Sequence, residues 1–282
     1  MKKVFAFIML LPLLAGCGKN NKSEEGSDNI NPSDYGAFLG RSDNDVTDFN
    51  KYKYVSCELD EFTDTNIKRL SEKGTNFLAY LNVGSLEEYR DYYDDFVEYT
   101  FLDYEDWPDE RWIDVSNKSW QAYLINTVAK DFKDRGAYGV YMDNVDVYTI
   151  AKENDKNYVS FANGIKNIIK GVANLGLKVM INGGSEFLDD MNDQEDGIFS
   201  SIWAYHQEEV FSLITDYEND KFGKQVKDDT EYYQDIAKIM KNKGKEVFFL
   251  EYTKDNTLIN EIKSYCESKK YHYYIASKVN LE

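Results

Sequence analysis

Short apolar runs alternate with longer segments of helical periodicity from Tyr35 to the end of the chain. The runs are rich in β-branched and aromatic residues and have the length of strands. They are Gly36–Gly40, Tyr54–Leu59, Phe77–Asn82, Tyr138–Asp143, Lys178–Asn182, Ser200–Tyr205, Val247–Glu251 and Tyr271–Ala276. Because strands that alternate with helices form a parallel sheet, eight such runs predict one α/β domain with the fold of a (β/α)8 TIM barrel.

The segments between the runs repeat apolar residues at intervals of three or four, as amphipathic helices do. This periodicity predicts helices over Asn117–Arg135, Asn157–Leu175, Thr230–Lys243 and Asn256–Lys269. A glycine that would end the preceding helix stands before several runs, at Gly74, Gly136, Gly176 and Gly244. No Gly-x-Gly-x-x-Gly or P-loop pattern follows a run, so the sequence lacks the usual indication of an open nucleotide-binding sheet.

The N-terminal segment has the pattern of a targeting sequence rather than of a folded domain. The basic start Met1-Lys2-Lys3 precedes an apolar run from Val4 to Leu14, and Leu14-Ala15-Gly16-Cys17 closes that run. This ending resembles a bacterial lipobox, in which the cysteine becomes the lipid-bearing first residue of the mature protein. The alternative is an ordinary secretory signal with an incidental cysteine.

The lipobox interpretation divides the chain into three parts. Residues 1–16 are predicted to be a lipoprotein signal peptide, and Cys17 is predicted to carry the lipid. The polar residues 17–33 are then a flexible tether, and residues 34–282 form the barrel domain. This order predicts a protein that is anchored in the cell membrane by its lipid and faces outside the cytoplasm.

Polar side chains close or follow five of the predicted strands, where an apolar run would otherwise continue. They are Asn82, Asp143-Asn144, Asn182, Glu208-Glu209 and Glu251-Tyr252. In a (β/α)8 barrel the carboxyl ends of the strands form the mouth that carries the chemistry. Some of these side chains could instead cap the following helix, but five such ends together predict a cleft rich in carboxylates and amides.

The net charge of the chain limits the classes of molecule that it could bind. With 51 acidic and 33 basic side chains the net charge is −18, which excludes nucleic-acid binding through a basic face. Removal of residues 1–16 takes away two Lys and no acidic residue, so the mature chain would carry −20. A cleft that concentrates this charge would attract a cationic substrate.

The titratable side chains indicate carboxylate chemistry. Two His and three Cys are too few for a cluster of metal-binding histidines, and Asp143-Asn144-x-Asp146 lacks the Gly and the later Glu of a calcium loop. No Gly-x-Ser-x-Gly elbow indicates acyl transfer. We therefore expect no metal and no cofactor. Carboxylates in a mouth lined with aromatic side chains are typical of glycoside hydrolases, in which one carboxyl donates a proton and the other attacks or activates water.

The two remaining cysteines lie far apart in sequence. Cys57 and Cys266 each stand in or near an apolar run. We expect two free, buried thiols, and a disulfide between them is the alternative.

Four segments of the chain form a recognisable set. In chain order they are Tyr80–Arg90 (YLNVGSLEEYR), Trp107–Asp114 (WPDERWID), Gly139-Val-Tyr-Met-Asp-Asn-Val-Asp146 and Gln207–Phe211 (QEEVF). Together they resemble the endo-α-1,4-polygalactosaminidase-like family, glycoside hydrolase family 114, and the third segment is the most specific. The resemblance is continuous from about Tyr80 to Tyr148 and patchier elsewhere.

The resemblance implies a (β/α)8 barrel that cleaves inside α-1,4-linked galactosamine polymers. It matches Asp143 and Glu208 to the family's two catalytic carboxylates, with Asp143 as nucleophile or base and Glu208 as general acid. The other matched positions would bind the polysaccharide: Asn82, Tyr89, Arg90, Asn144, Asp146 and Asn182. From their place at a strand end, Glu251 and Tyr252 are assigned to the same site.

Several alternatives remain open at this stage. The strand before Glu208 lacks the Asp-Gly usual in the family, and Glu209 adjoins it; since neighbouring strand residues face opposite sides, we expect only one of them to face the mouth. The protein could bind carbohydrate without turnover, or hydrolyse a different glycan. A carboxyl separation of about 5–5.5 Å would indicate a retaining enzyme, and about 6.5–9.5 Å an inverting one.

Overall fold

A computed structural model describes residues 34–105 and 107–282 of the protein. The predicted signal peptide, the tether and the lipidation site at Cys17 lie outside these residues. Among the described residues the strands are, in chain order, β1 Tyr35–Ala37, β2 Tyr54–Cys57, β3 Asn76–Asn82, β4 Ser85–Glu87, β5 Thr100–Asp103, β6 Glu110–Ile113, β7 Gly139–Asp143, β8 Lys178–Asn182, β9 Ala204–Glu208, β10 Ser212–Asp216, β11 Lys221–Lys224, β12 Glu246–Tyr252 and β13 His272–Ala276.

Helices connect the strands. The α-helices are α1 Asp64–Ser71, α2 Tyr93–Phe96, α3 Lys118–Tyr123, α4 Lys130–Asp134, α5 Val147–Glu153, α6 Tyr158–Asn174, α7 Ser185–Asp193, α8 Lys227–Asn242 and α9 Asn256–Lys269. The 3₁₀ turns are Asp43–Lys51, Leu59–Glu61, Val97–Tyr99 and Gly197–Ser201, and Leu124–Ala129 forms π-helix between α3 and α4.

Eight parallel strands form the barrel. Their order in the sheet is β1-β2-β3-β7-β8-β9-β12-β13, and the first and last of these strands contact each other. Neighbours pair in parallel with a regular register, in which Asn82 lies opposite Asp143 and Asn182 lies opposite His206. The predicted (β/α)8 TIM barrel is therefore confirmed.

Helix starts follow the capping chemistry of the sequence. Asn117, Asn157 and Asp255 each accept a hydrogen bond from a backbone N–H of the first turn, at the N-termini of α3, α6 and α9. The helices predicted around these three caps are present. The first differs from its prediction because the π-helical turn Leu124–Ala129 divides it.

The sixth strand was placed wrongly. We expected Ser200–Tyr205, but the strand is β9, Ala204–Glu208, and a 3₁₀ turn occupies Gly197–Ser201. The turn begins where the carboxylate of Asp196 caps the backbone N–H of Ile198. Ile202 and Trp203, between the turn and β9, give this segment the apolar character of a strand, whereas the real strand carries polar side chains that find partners inside the barrel.

Alternate strand residues belong to two different cores. Val140 and Met142 of β7 pack outward against the helices, and Tyr141 packs with the aromatic residues that fill the barrel. The residue that follows in the inward series of β7 is Asp143, at the strand's carboxyl end. The same alternation in β3, β8, β9 and β12 directs their last inward side chains to the mouth.

Two excursions rise from the carboxyl ends of the barrel strands. The first follows β3 and contains the three-stranded antiparallel sheet β4-β6-β5. The second follows β9 and is the antiparallel hairpin β10-β11. Neither was predicted, because their strands are short and their apolar residues few.

Both cysteines of the barrel are buried. Cys57 lies in β2 and Cys266 in α9, and both are free thiols, as expected. Within residues 34–105 and 107–282, none of the helices combines the length and the apolar character needed to cross a bilayer.

Candidate active site

One amide connects two carboxyl groups at the centre of the mouth. Asn182, at the end of β8, donates from Nδ2 to Oδ1 of Asp143 at 2.8 Å and to Oε1 of Glu208 at 2.9 Å. Because the two N–H bonds of an amide diverge by about 120° and hydrogen bonds are close to linear, the two oxygens lie about 5 Å apart. All three side chains belong to the inward series of their strands.

Tyrosine hydroxyls fix both carboxyl groups. Tyr80 donates to Oδ2 of Asp143 at 2.9 Å. Tyr141 donates to Oε1 of Glu208 at 2.9 Å, and Tyr252 donates to Oε2 at 2.6 Å. Each carboxyl therefore has a donor on both oxygens, which holds it in one rotamer.

Burial dominates the electrostatics of the pair. Burial and, to a smaller extent, the nearby charge of Glu208 together raise the pKa of Asp143 to about 7, against the opposing hydrogen bonds from Asn182 and Tyr80. Burial also raises the pKa values of Tyr80, Tyr141 and Tyr252 well above their usual range, so these hydroxyls remain donors. Asp143 is therefore largely protonated below about pH 7.

Asn144 is held in a left-handed backbone conformation directly after β7, with φ of 59°. Its Nδ2 donates to Oδ1 of Asn82 at 3.1 Å, and Tyr104 donates to its Oδ1 at 3.2 Å. The backbone after β3 approaches the backbone after β7 so closely that a Cβ on Gly84 would lie 1.8 Å from the carbonyl oxygen of Asn144. Only glycine therefore fits at position 84, and the loops after β3 and β7 are locked together.

Asp146 completes this part of the mouth. Its Oδ1 accepts the backbone N–H of Gly184 at 3.0 Å, and burial raises its pKa to about 6. Gly184 has φ of +63°, a conformation that favours glycine and aims its N–H at the carboxylate.

A cleft of about 540 Å³ extends from this centre across the mouth. Seven carboxyl side chains line it, namely Glu58, Glu87, Glu110, Asp143, Asp146, Glu208 and Glu209. Its aromatic lining consists of Tyr80, Tyr89, Tyr104, Trp107, Tyr217, Tyr233 and Tyr252. Among the described residues that line it there is no Lys, Arg or His, so the cleft is acidic. The aromatic rings give it flat apolar surfaces.

An ion-pair group supports one wall of the cleft. Arg90 Nη2 lies 2.6 Å from Oε1 of Glu58, and its Nε lies 2.5 Å from Oε2 of Glu87. Tyr89 donates to the second oxygen of Glu87 at 2.7 Å and is 65% exposed. Glu110, on β6, accepts the hydroxyl of Ser85 at 2.5 Å. The guanidinium lies behind the two carboxylates and fixes them toward the cleft.

Two exposed aromatic side chains meet at the rim. Trp107 stands between β5 and β6, and Tyr217 follows β10; their rings contact edge to face with centroids 5.7 Å apart. Their excursions follow the third and sixth barrel strands, so the contact connects parts of the rim that two strands separate. These residues are 45% and 36% exposed and offer apolar faces to a ligand in the cleft.

The predicted site residues fall into three groups. Most line the cleft, namely Tyr89, Asp143, Asn144, Asp146, Asn182, Glu208 and Tyr252. Asn82, which is buried, and Arg90, which is half-buried, lie behind the lining and hold residues that belong to it: Asn82 contacts Asn144, and Arg90 contacts Glu58 and Glu87. Glu251 lies elsewhere.

The assignment of Glu251 to substrate binding is wrong. Glu251 belongs to the outward series of β12, one residue away from the inward Tyr252, and is fully buried. Its carboxylate accepts the backbone N–H groups of Phe211 and Ser212 and the hydroxyl of Ser212. Burial raises its pKa to about 7. Glu251 therefore supports the loop between β9 and β10.

The expectation that only one of Glu208 and Glu209 faces the mouth is also wrong, because both line the cleft. Glu208 is the last residue of β9 and points inward with the strand. Glu209 lies beyond the strand, where φ of 56° ends the alternation, and its carboxylate accepts the backbone N–H of Ile214. Glu208 contacts Asn182, whereas Glu209 stabilises the start of the hairpin.

Sequence reasoning missed several lining side chains. Glu58 follows β2 and was not considered, and Glu110, Trp107 and Tyr217 lie in the two unpredicted excursions. Glu87 stood inside the first quoted motif, but nothing in that motif distinguished it from Glu88. In the described part of the chain, no group of three or more His, Cys, Asp and Glu is arranged to hold a metal ion.

Fold and cleft define a carbohydrate-active TIM barrel, and comparison with known families assigns it. The family model described as glycoside-hydrolase family GH114 matches residues 20–280. The chain belongs to this family, and the protein is a glycoside hydrolase.

Similar proteins agree with the fold. The glycoside hydrolase domain of PelA from Pseudomonas aeruginosa superimposes with a TM-score of 0.72 at 16% identity, over 88% of this chain and 96% of that one. Ega3 from Aspergillus fumigatus, in complex with galactosamine, gives 0.70 at 17% identity, over 94% and 98%. An uncharacterised protein of Methanocaldococcus jannaschii is 22% identical over 233 residues, which are 74% of this chain and 61% of that protein.

Proposed function

We propose that the protein hydrolyses bonds inside an amino-sugar polysaccharide, with α-1,4-linked galactosamine polymer as its substrate, and that Asp143 and Glu208 are its catalytic pair. The observation that carries the proposal is the Asn182 amide, which holds one oxygen of each carboxyl within hydrogen-bond distance. Two carboxyls about 5 Å apart at the mouth of a barrel are the arrangement with which glycosidases act on an anomeric carbon.

The acidic cleft supports the substrate class. Seven carboxyl side chains surround a space in which none of the described lining residues is basic, so a sugar that carries an ammonium group would be attracted and a neutral sugar would not. Galactosamine, the sugar bound to the similar Aspergillus protein, has this charge.

The carboxyl separation favours a retaining reaction. One carboxylate oxygen bonds to the anomeric carbon while the glycosidic C–O bond breaks, and the other carboxyl gives its proton to the leaving oxygen. Water then loses a proton to that second group and displaces the first from the anomeric carbon, which restores both carboxyls. An inverting enzyme would need about 6.5–9.5 Å to admit water between the groups, more than the bridging amide allows.

We assign Asp143 as nucleophile and Glu208 as proton donor, as the family resemblance implies. Because the pKa of Asp143 is raised to about 7, this carboxyl is protonated near neutral pH before substrate binds. Positive charge that develops at the anomeric carbon in the transition state would stabilise ionised Asp143 and shift the proton to Glu208.

Azide tests this assignment. With an activated substrate, an Asp143→Ala variant should form a glycosyl azide of inverted configuration, because azide takes the place of the missing nucleophile. A Glu208→Ala variant should form one of retained configuration, because azide then attacks the covalent intermediate. Exchanged configurations, read by NMR of the anomeric proton, would reverse the two roles.

The activity itself is tested with purified polysaccharides. Reducing ends and product masses should show internal cleavage of de-N-acetylated galactosaminan, and the first product should retain the anomeric configuration. Asp143→Asn and Glu208→Gln should each lower kcat by about 10³-fold or more with folding unchanged, whereas Glu209→Gln should lower it far less. Tight oligosaccharide binding without release of reducing ends would instead indicate a carbohydrate-binding lipoprotein. Cleavage of a different polymer, with galactosaminan left intact, would overturn the proposed substrate but not the hydrolase activity.

We also propose that the protein works outside the cytoplasm, anchored to the membrane through lipid on Cys17. The support is the sequence Leu14-Ala15-Gly16-Cys17 after an apolar run. Labelling with a fatty-acid analogue should mark the wild type and leave a Cys17→Ala variant unlabelled. Equal labelling of both proteins would contradict the anchor.

A further inference from the structure

A histidine lies beneath the amide that bridges the two carboxyls. His206, in β9, is fully buried, and its Nδ1 lies 2.6 Å from Oδ1 of Asn182. Nδ2 of Asn182 is occupied with Asp143 and Glu208, so the atom that faces the imidazole is the amide oxygen, which can only accept. Nδ1 of His206 must therefore carry the hydrogen.

The opposite ring nitrogen has no partner. Nε2 of His206 is the buried side-chain polar atom without a hydrogen bond among the described residues. The rings of Tyr35 and Tyr141 contact the imidazole edge to face, with centroids 5.6 Å and 4.9 Å away. Burial lowers the pKa of His206 to about 3, so the ring remains neutral and has one N–H only. An unpaired buried acceptor is costly, and Nδ1 is where the single N–H is used.

We propose that His206 is a positioning residue for hydrolysis: its Nδ1–H fixes the orientation of the Asn182 amide, and that amide sets the spacing and the protonation of the Asp143–Glu208 pair. The proposal rests on the proposed function, since it takes these two carboxyls as the catalytic pair. The order of contacts is imidazole, amide, and then the two carboxyl oxygens.

The alternative orientation of the amide explains why a donor is needed here. A half-turn about the terminal bond of Asn182 would aim Oδ1 at both carboxyls and Nδ2 at the histidine. The hydrogen bond to an ionised carboxylate would become a repulsive contact, so ionisation of the pair would become harder. Only a donor below the amide, and not an acceptor, excludes this state.

The tautomer can be read directly in the wild-type protein. Because the chain has two His, ¹⁵N-labelled histidine gives a spectrum that a His272→Phe variant assigns. We expect His206 to show a protonated Nδ1 and an unprotonated Nε2 across neutral pH. A protonated Nε2 would overturn the proposal, whatever the enzyme's activity.

Two substitutions test the effect on turnover. His206→Phe keeps a ring in the barrel and removes the donor; we expect kcat to fall about tenfold or more, as for the loss of a group that orients a catalytic side chain, with KM nearly unchanged. The upper pKa of the kcat/KM profile should move to higher pH. His206→Asn can place an N–H near the position of Nδ1 and should recover most of the loss, whereas His272→Phe, at the other end of the barrel, should leave kcat unchanged.

The pH profile must be assigned to the pair and not to its surroundings. The titratable groups that interact with the pair are Tyr35, Tyr80, Tyr141, Tyr252 and Asp146, and Glu209 adjoins Glu208 in the chain. Burial keeps the tyrosines protonated near neutral pH, so Asp146→Asn and Glu209→Gln backgrounds identify the remaining contributions.

The two proposals fail in different ways. If Asp143→Asn and Glu208→Gln stay active, the catalytic assignment fails while the tautomer of His206 still reports the contact. If these variants are inactive but His206→Phe has wild-type kcat and an unshifted profile, the positioning role fails alone. Should His206→Phe not fold, an inactive His206→Asn with a wild-type fold would overturn the positioning role as well.

Discussion

At the scale of single residues, Asp143 shows a conflict between the proposed catalytic role and the stability of the folded protein. Catalysis needs a carboxyl that is shielded from water, and shielding a carboxyl costs free energy when it ionises. The three donors around it, from Asn182, Tyr80 and the backbone of Asn144, offset only part of this cost, because its pKa remains near 7. The site is therefore built at the expense of stability.

The pH dependence of stability should show this cost. Asp143 is protonated up to about pH 7 in the folded protein and up to about pH 4 in the unfolded one, so the unfolded state binds fewer protons between these values. The free energy of unfolding therefore falls as pH rises through this window. Asp143→Asn should remove the effect, and its stability relative to wild type should increase by about 2 kcal/mol from about pH 5.5 to about pH 8, measured by urea denaturation. For Asp103→Asn, at an exposed ion pair, the difference in the free energy of unfolding from wild type should not change with pH over this range. If the difference for Asp143→Asn were also independent of pH, the buried ionisation of Asp143 would be contradicted.

Glu251 allows a second test at this scale. Glu251→Ala would leave the backbone N–H groups of Phe211 and Ser212 without their acceptor. We therefore expect the free energy of unfolding to fall by about 2–4 kcal/mol. Glu251→Gln keeps an acceptor oxygen and should lose less. Thermal denaturation measures both variants. A Glu251→Ala variant of wild-type stability with a raised KM would return this residue to substrate binding.

The alternation of strand side chains decided which residues could be predicted. Asp143, Asn182 and Glu208 end their strands in the inward series, and their convergence follows from the barrel and the register. Glu251 occupies an equally polar strand end, and the sequence alone did not reveal which of Glu251 and Tyr252 points inward. Once Phe248 and Leu250 are known to face the barrel interior, the same alternation places Tyr252 in the mouth and Glu251 outside it.

At the scale of elements, the regular repeat was predictable and the excursions were not. Apolar runs and capped helices give eight units because each unit must bury an apolar strand beneath an amphipathic helix. The strands of the sheet β4-β6-β5 and of the hairpin β10-β11 have only three to five residues and show no such repeat. The two excursions nevertheless carry Glu87, Glu110, Trp107 and Tyr217, and therefore much of the cleft beyond its centre.

The rim aromatics should matter for long substrates and not for short ones. Trp107 and Tyr217 lie on the excursions rather than on the strands that carry the proposed catalytic pair, and an aromatic contact is worth about 0.5–1.5 kcal/mol beyond its buried area. Combined Trp107→Ala and Tyr217→Ala substitutions should therefore raise KM for the polymer several-fold and leave the rate on short oligomers unchanged. Phe at both positions should preserve KM.

A matched control for the rim is Tyr158→Ala. Tyr158 is 42% exposed, but its ring packs on Tyr148 away from the lining of the cleft. Its substitution should change KM for neither substrate. Equal effects of the rim variants on polymer and oligomers would place Trp107 and Tyr217 next to the reacting sugar.

At the scale of the whole molecule, the acidic side chains behind the net charge of −18 serve different purposes in different places. Most of the acidic side chains that the structure describes are exposed or half-buried, where they serve solubility. Seven lie in one concave cleft, where low-dielectric walls strengthen their combined field. Arg90 neutralises part of the charge of Glu58 and Glu87 from behind, so the remaining field belongs mainly to the carboxyls nearest the catalytic centre.

This field should appear as a salt effect on encounter with substrate. The Debye length falls from about 30 Å at 0.01 M salt to about 10 Å at 0.1 M, so attraction between the cleft and a polymer of ammonium sugars is screened over this range. We expect kcat/KM on de-N-acetylated polymer to fall several-fold as salt rises, mostly through KM. The same polymer after chemical N-acetylation carries no charge, and its kcat/KM, where measurable, should barely change. An equal salt dependence on both polymers would mean that salt acts on the protein itself, and the acidic cleft would then contribute no steering.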